Sequence, residues 1–225
     1  CNQFPIDIKK LKGRKCWAGL DLSSSIDISS LVLIFPFEDG ERFEIVPYFW
    51  IPKDNALERS RKDGVDYDLW IREGLITATE GNVIDYKFIR KQVQEILTEY
   101  QLINLGYDRW GATQLIIDIQ DDGCPVVPFG QGFASMSNPS KTLETLLLGK
   151  KINHGGNKVL NWMIGNVQTT QDPAGNIKPD KKKSGKGNKI DGIVATIMAL
   201  GIYLDDTFKG NNSDSIYNER DIIIL

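Results

Sequence analysis

Long apolar runs, more than a single histidine and paired cysteines are what this 225-residue chain lacks. No stretch approaches the roughly 20 consecutive apolar residues of a membrane-spanning helix. The opening residues do not read as a signal peptide, so no membrane association is expected. The three cysteines, Cys1, Cys16 and Cys124, are odd in number and have no metal-ligand spacing. That argues against a zinc module or a disulfide framework and fits a reducing compartment. His154 is the only histidine. Basic charge is in short supply too: 27 Lys and Arg against 30 Asp and Glu leave a formal net charge of −3. A protein that binds by blanketing phosphates with lysine would carry the opposite sign.

What is present is an ordinary globular composition, 41% hydrophobic and 25% charged, in a length that can bury a sizeable core. The chain opens on Cys1 rather than Met, and residues 1–16 mix basic and polar types with little period. They are expected to be a linker or arm from a preceding domain. Apolar runs at 16–22, 30–37 and 42–50 are separated by Ser23-Ser24-Ser25 and by Glu38-Asp39-Gly40-Glu41, which predicts an antiparallel three-strand meander. Residues 57–74 predict a charged helix with Trp70 and Ile71 facing inward. Phe88, Ile89, Val93, Ile96 and Leu97 recur at the helical period, and that helix leads into a short apolar strand at 102–107 ending in Asp108. A meander followed by helix-then-strand predicts an α/β fold with a mixed sheet flanked by helices.

Further on, the pattern predicts a helix at 113–121, an edge strand at 124–129, helices at 140–149 and 157–165, and a hairpin at 167–178. A last helix starts at 189 and runs to about 204; apolar residues cover most of its surface, so it should be buried. The domain is expected to span 17–206. From residue 207 the chain is rich in Asn, Ser and Asp and is expected to be a flexible tail closing on Ile222-Ile223-Ile224-Leu225.

Three acids stand at the edge of this expected core. Asp21 sits in an apolar strand, where a charge is costly unless it is paired or holds a metal. Asp108 ends a later strand, and Asp191 lies in the first turn of the buried helix. Taken singly, Asp108 is better explained as a turn former and Asp191 as an acid favoured by a helix N-terminus. Crowded together, such carboxylates repel, and a divalent cation reverses that penalty. Oxygen-only ligands favour Mg²⁺ or Mn²⁺ over Zn²⁺. Two such ions roughly 3.5 to 4 Å apart activate a water and stabilise the leaving oxygen of a phosphodiester. The adjoining run Lys178 to Lys189 carries six lysines against one acid, Asp180. Within it Lys181, Lys182 and Lys183 are candidates for contact with phosphates, against a plain role as a solvated, flexible loop; a contact of that kind positions its ligand without reading sequence.

The segments Trp17-Ala-Gly-Leu-Asp21-Leu-Ser-Ser-Ser-Ile-Asp27, Gly106-Tyr-Asp108-Arg-Trp-Gly-Ala112, Phe129-Gly-Gln-Gly-Phe133-Ala-Ser-Met-Ser, His154-Gly-Gly-Asn157 and Lys189-Ile-Asp191-Gly-Ile-Val-Ala resemble the C-terminal nuclease domain of the large terminase subunit of tailed bacteriophages. The resemblance covers about residues 17–204. It implies an RNase H-like fold and a two-metal endonuclease that cuts concatemeric viral DNA during genome packaging in the host cell cytoplasm. By motif position the catalytic and metal-binding acids fall on Asp21, Asp108 and Asp191. The implied partners are double-stranded DNA, an N-terminal ATPase domain, a small terminase subunit and a portal. No Gly-x-x-x-x-Gly-Lys-Ser/Thr phosphate loop occurs here, as expected of the nuclease domain alone.

Some related terminases carry a histidine three residues before the last acid, where this chain has Asn188, which makes Asn188 and Lys189 candidate auxiliary ligands. Asp27 across the serine turn is another, against a plain role in ending that turn. His154 is a candidate general base, against a role as a hydrogen-bonding loop residue. Arg109 and Trp110 follow Asp108 and are candidates for a phosphate and a base, and Gln131 and Ser135 for the groove. Two alternatives remain open: another RNase H-like nuclease, such as a junction resolvase or ribonuclease H, and a non-catalytic module that docks a portal or motor partner.

Overall fold

A computed structural model describes residues 4–23, 27–109, 113–185 and 187–217. The chain enters through a short helix, α1 (Ile8–Leu11), and a three-strand meander: β1 (Lys15–Asp21), β2 (Ser29–Pro36) and β3 (Phe43–Pro52). Helices α2 (Ala56–Asp63) and α3 (Tyr67–Arg72) precede β4 (Thr77–Thr79). Next come α4 (Tyr86–Glu99), β5 (Gln101–Tyr107), α5 (Thr113–Asp121) and β6 (Val126–Pro128). The remainder is α6 (Phe133–Leu148), β7 (Ile152–Asn153), α7 (Lys158–Asn166), the hairpin β8 (Thr169–Gln171) and β9 (Ile177–Pro179), and α8 (Asp191–Tyr217).

The main sheet runs in the order β4-β3-β2-β1-β5-β6, with β7 beside β3. Strands β1 to β3 pair antiparallel, whereas β1, β5 and β6 pair parallel. Side chains alternate between its two faces. Cys16, Ala18 and Leu20 of β1 and Leu31, Leu33 and Phe35 of β2 share a core with α4 and α5. Val32 and Ile34 join the core on the opposite face, under α6, α7 and α8. By the same alternation Trp17, Gly19 and Asp21 face α8. No helix among the described residues is long and apolar enough to cross a membrane.

Several boundaries differ from expectation for identifiable reasons. The helix expected at 57–74 is two helices, because Gly64 adopts a left-handed backbone (φ +69°) and Asp66 starts α3 by accepting from the Leu69 amide at 2.9 Å. The helix expected from 140 begins at Phe133 and carries Pro139 in its interior. A proline there removes one backbone bond, but its ring is buried against α8 near Gly201. The arm at 1–16 is not detached: Leu11 is fully buried and β1 begins at Lys15. Nor does the tail begin at 207, since α8 continues to Tyr217. Ile222 to Leu225 and Trp110 lie outside the described residues.

Candidate active site

Asp21 is the last residue of β1 and pairs with Ser30 of β2. In the parallel β1–β5 ladder Leu20 pairs with Tyr107, so Asp108 emerges immediately beyond, at the carboxyl end of the adjacent strand. Open α/β sheets collect their sites at such strand ends. Asp191, the first residue of α8, reaches the same place because α8 lies directly on β1. Gly19 allows that approach: a Cβ there would collide with the Ala195 carbonyl oxygen and lie 2.8 Å from the Ala199 nitrogen.

Asp21 and Asp191 are each 4% exposed, and the Lys181 ammonium bridges them. Its Nζ donates to Asp21 Oδ2 at 3.0 Å and to Asp191 Oδ1 at 2.7 Å. The other oxygen of Asp21, Oδ1, accepts from Gln131 Nε2 at 2.9 Å. Burial pushes the Asp191 carboxyl up to about 6; the Lys181 ammonium opposes this shift and the Asp21 carboxylate reinforces it. Burial would lower the Lys181 ammonium, yet the two carboxylates outweigh it and hold its pKa above the usual lysine range. The pair is therefore an oxygen-only donor set already closed around a positive charge, a pattern that a hard divalent cation also satisfies.

The expected cluster of three acids takes a different form. Among the described residues no three acids, cysteines or histidines stand close enough to hold one metal ion. The structure brings together Asp21 and Asp191, fills the space between them with an ammonium, and leaves half-buried Asp108 on the neighbouring strand end.

The auxiliary candidates are distributed more widely. Asp27 accepts from Arg59 Nη1 at 2.7 Å and Lys189 Nζ at 2.8 Å. Burial opposes ionisation of Asp27, but Lys189 and Arg59 together hold its carboxyl below the usual range. Asn188 donates from Nδ2 to the Ser184 carbonyl, so neither it nor Lys189 turns to the acid pair. His154 belongs elsewhere. It follows β7, which pairs with the Phe43–Glu44 end of β3, whereas Asp21 is level with Ser30 and hence with Phe49. It lines a small apolar cavity with Ile45, Leu143 and Leu160, and burial lowers its pKa against the opposing hydrogen bond to its own backbone.

Arg109 is exposed in the turn after Asp108. Lys182 and Lys183 are exposed, whereas Lys181, grouped with them as a phosphate contact, turns its ammonium inward. Gln131, a groove candidate, instead holds Asp21, and Ser135 lines a separate cleft beside Gly201. Arg59 carries no signal of its own in the sequence: its neighbours are charged helix residues, and nothing local links it to Asp27, which lies 32 positions earlier.

Residues 1–206 match the family described as terminase large subunit, endonuclease domain. The chain belongs to this family. The terminase large subunit of Enterobacteria phage HK97 is 38% identical over 203 residues, covering 89% of this chain and 39% of that protein. The crystal structure of the HK97 large terminase superposes with a TM-score of 0.80 at 38% identity, covering 90% of this chain and 41% of that one. The large terminase nuclease from thermophilic phage G20c with bound magnesium shares the fold at a TM-score of 0.53 and 12% identity, covering 84% of this chain and 83% of that one. This terminase endonuclease domain thus spans about two fifths of the length of its HK97 relative. Its architecture is RNase H-like, with the antiparallel meander β1–β3 extended by parallel β5 and β6.

Proposed function

We propose that this domain is a divalent-metal-dependent DNA endonuclease that cuts concatemeric viral DNA during genome packaging, with Asp21, Asp108 and Asp191 as its metal-binding acids. The observation that carries this reading is the buried Asp21–Asp191 pair closed around a positive charge. Two buried carboxylates in contact are unfavourable unless a cation is part of the design. Asp108 follows the Leu20–Tyr107 pair on the adjacent strand end, and we propose that it turns toward the ion on metal binding to add a third carboxylate. The G20c nuclease, which shares the fold, carries magnesium, which supports Mg²⁺ or Mn²⁺ as the ion, and we propose two of them. When bound, they supply Lewis-acid stabilisation of the phosphodiester and lower the pKa of the attacking water.

The chain's own residues do the positioning. Gln131 fixes the orientation of Asp21 through Oδ1 and so leaves Oδ2 directed at the cation position. Asp27, Arg59 and Lys189 form a separate ion cluster that ties the residue two before β2 to α2 and to the start of α8. Exposed Arg109, Lys182 and Lys183 are the groups suited to the duplex phosphates. Phosphate contacts position a duplex without reading its sequence, so we propose that site choice falls to partners of the complete protein: its ATPase domain, a small terminase subunit and a portal, in the host cytoplasm.

The test is plasmid cleavage. Purified domain should nick or linearise supercoiled DNA with Mn²⁺ and stop with EDTA, and Asp21→Ala, Asp108→Ala and Asp191→Ala should each abolish cutting while keeping the fold by circular dichroism. Wild-type cutting by all three variants would remove the site from consideration.

A further inference from the structure

The group that reconciles Asp21 with Asp191 is a flexible one. The Asp21 and Asp191 side chains are 5% and 6% exposed, whereas that of Lys181 is 51% exposed; its stem lies on the surface and only its tip reaches in. Its backbone is held independently of that tip. Asp180 Oδ1 accepts from the Lys182 amide at 2.9 Å and the Lys183 amide at 3.2 Å, and Ser184 Oγ donates to the Asp180 carbonyl at 2.9 Å. Rotation about the four-carbon side chain is therefore enough to withdraw the ammonium, with no refolding of the loop.

Two clefts, of about 370 Å³ and about 300 Å³, flank this position, and Lys181 lines both. Two neighbouring lysines are engaged elsewhere: Lys189 with Asp27 at 2.8 Å, and Lys178 with the Gln131 carbonyl at 3.3 Å while lying over the Phe133 ring.

We propose that Lys181 is a displaceable counter-ion: its ammonium occupies the cation position between Asp21 and Asp191 in the metal-free domain, and a divalent ion must expel it to bind. This rests on the metal-dependent reading above. It adds that metal affinity is set by a competition inside the chain, and that metal uptake moves one more ammonium to the exposed surface beside Lys182 and Lys183. When only the withdrawn state can bind metal, the apparent dissociation constant is raised by the rarity of that state.

The experiment is calorimetric titration of Mn²⁺ into the wild-type domain and into Lys181→Ala, Lys181→Arg and Lys182→Ala. Lys181→Ala should bind on the order of ten- to a hundredfold more tightly, because the competitor is gone. Lys181→Arg should bind no more tightly than wild type, and Lys182→Ala, which removes an equal charge from the same loop, should stay close to it. A second readout needs no variant to fold: in ¹⁵N-lysine-labelled wild type, the protected ammonium signal of Lys181 should disappear or shift on saturation with Mg²⁺. Unchanged or weaker metal binding by Lys181→Ala, or a Lys181 signal that survives saturation, overturns the proposal while metal-dependent cutting can still stand. Failure of every protein to bind metal overturns both.

Discussion

Replacing Gly19 with alanine tests how the acid pair is assembled. The added methyl would strike the Ala195 carbonyl oxygen and sit 2.8 Å from the Ala199 nitrogen and 3.0 Å from the Ala195 carbonyl carbon. All three are backbone atoms of α8, so no side chain can turn aside, and comfortable contact needs about 3.5 Å or more. The helix must retreat from β1 by roughly 1 Å. Overpacking of this kind costs about 1–3 kcal/mol, and a rigid obstacle between the central strand and the buried helix puts Gly19→Ala at the upper end. For a domain of this size, about 3 kcal/mol lowers the melting temperature by roughly 6–12 °C.

The same retreat separates Asp191 from Asp21, and a displacement of about 1 Å can reduce a reaction roughly 100-fold. Thermal unfolding by circular dichroism and Mn²⁺-dependent plasmid cleavage report the two effects. Gly165→Ala is the matched control, because its Cβ meets nothing within 4 Å and alanine favours the helix by roughly 1 kcal/mol. If Gly19→Ala melts within about a degree of wild type and cuts normally, the close approach of α8 to β1 is not what positions Asp191.

Further outcomes follow from other contacts. Asp206 Oδ2 accepts from Trp17 Nε1 at 2.8 Å and Asn104 Nδ2 at 2.7 Å; Asp206→Ala leaves both donors unpaired and should cost about 1–3 kcal/mol in a urea melt without changing metal affinity. Asp191 is raised to about 6 when folded, against about 4 unfolded. Its contribution to the stability of the metal-free domain is therefore complete below about pH 4 and lost as pH rises through about 6, and Asp191→Asn should remove that part of the pH profile measured by denaturant unfolding. The double variant Lys182→Ala, Lys183→Ala should weaken binding to duplexes of different sequence alike and flatten the plot of log affinity against log salt by about two, with an unchanged melting temperature.

The meander and the amphipathic helix before β5 were legible because alternation along a strand and the 3.6-residue period of a helix are local signals. The break at Gly64 was not, since it depends on one left-handed residue inside a continuous charged run. The start of α6 is hidden for a related reason: Pro139 has the local signature of a turn, and only the packing of its ring against α8 lets the helix run through it.

At the site, the residue types that demand partners stood out in the sequence, Asp21 above all, but the partners did not. Gln131 lies 110 positions from Asp21 and Lys181 lies 160 positions away, and only the packing of α6, the hairpin and α8 brings them together. The lysine run was visible as charge. Which lysine turns inward is decided by the pull of two buried carboxylates, and periodicity carries no trace of that.

The most direct measurement is a crystal structure of the domain grown with Mn²⁺, using anomalous scattering to locate the ion. The account predicts an anomalous peak in contact with a carboxylate oxygen of Asp21 and one of Asp191. A peak elsewhere, or none while Asp21 and Asp191 both retain the Lys181 ammonium, would contradict it.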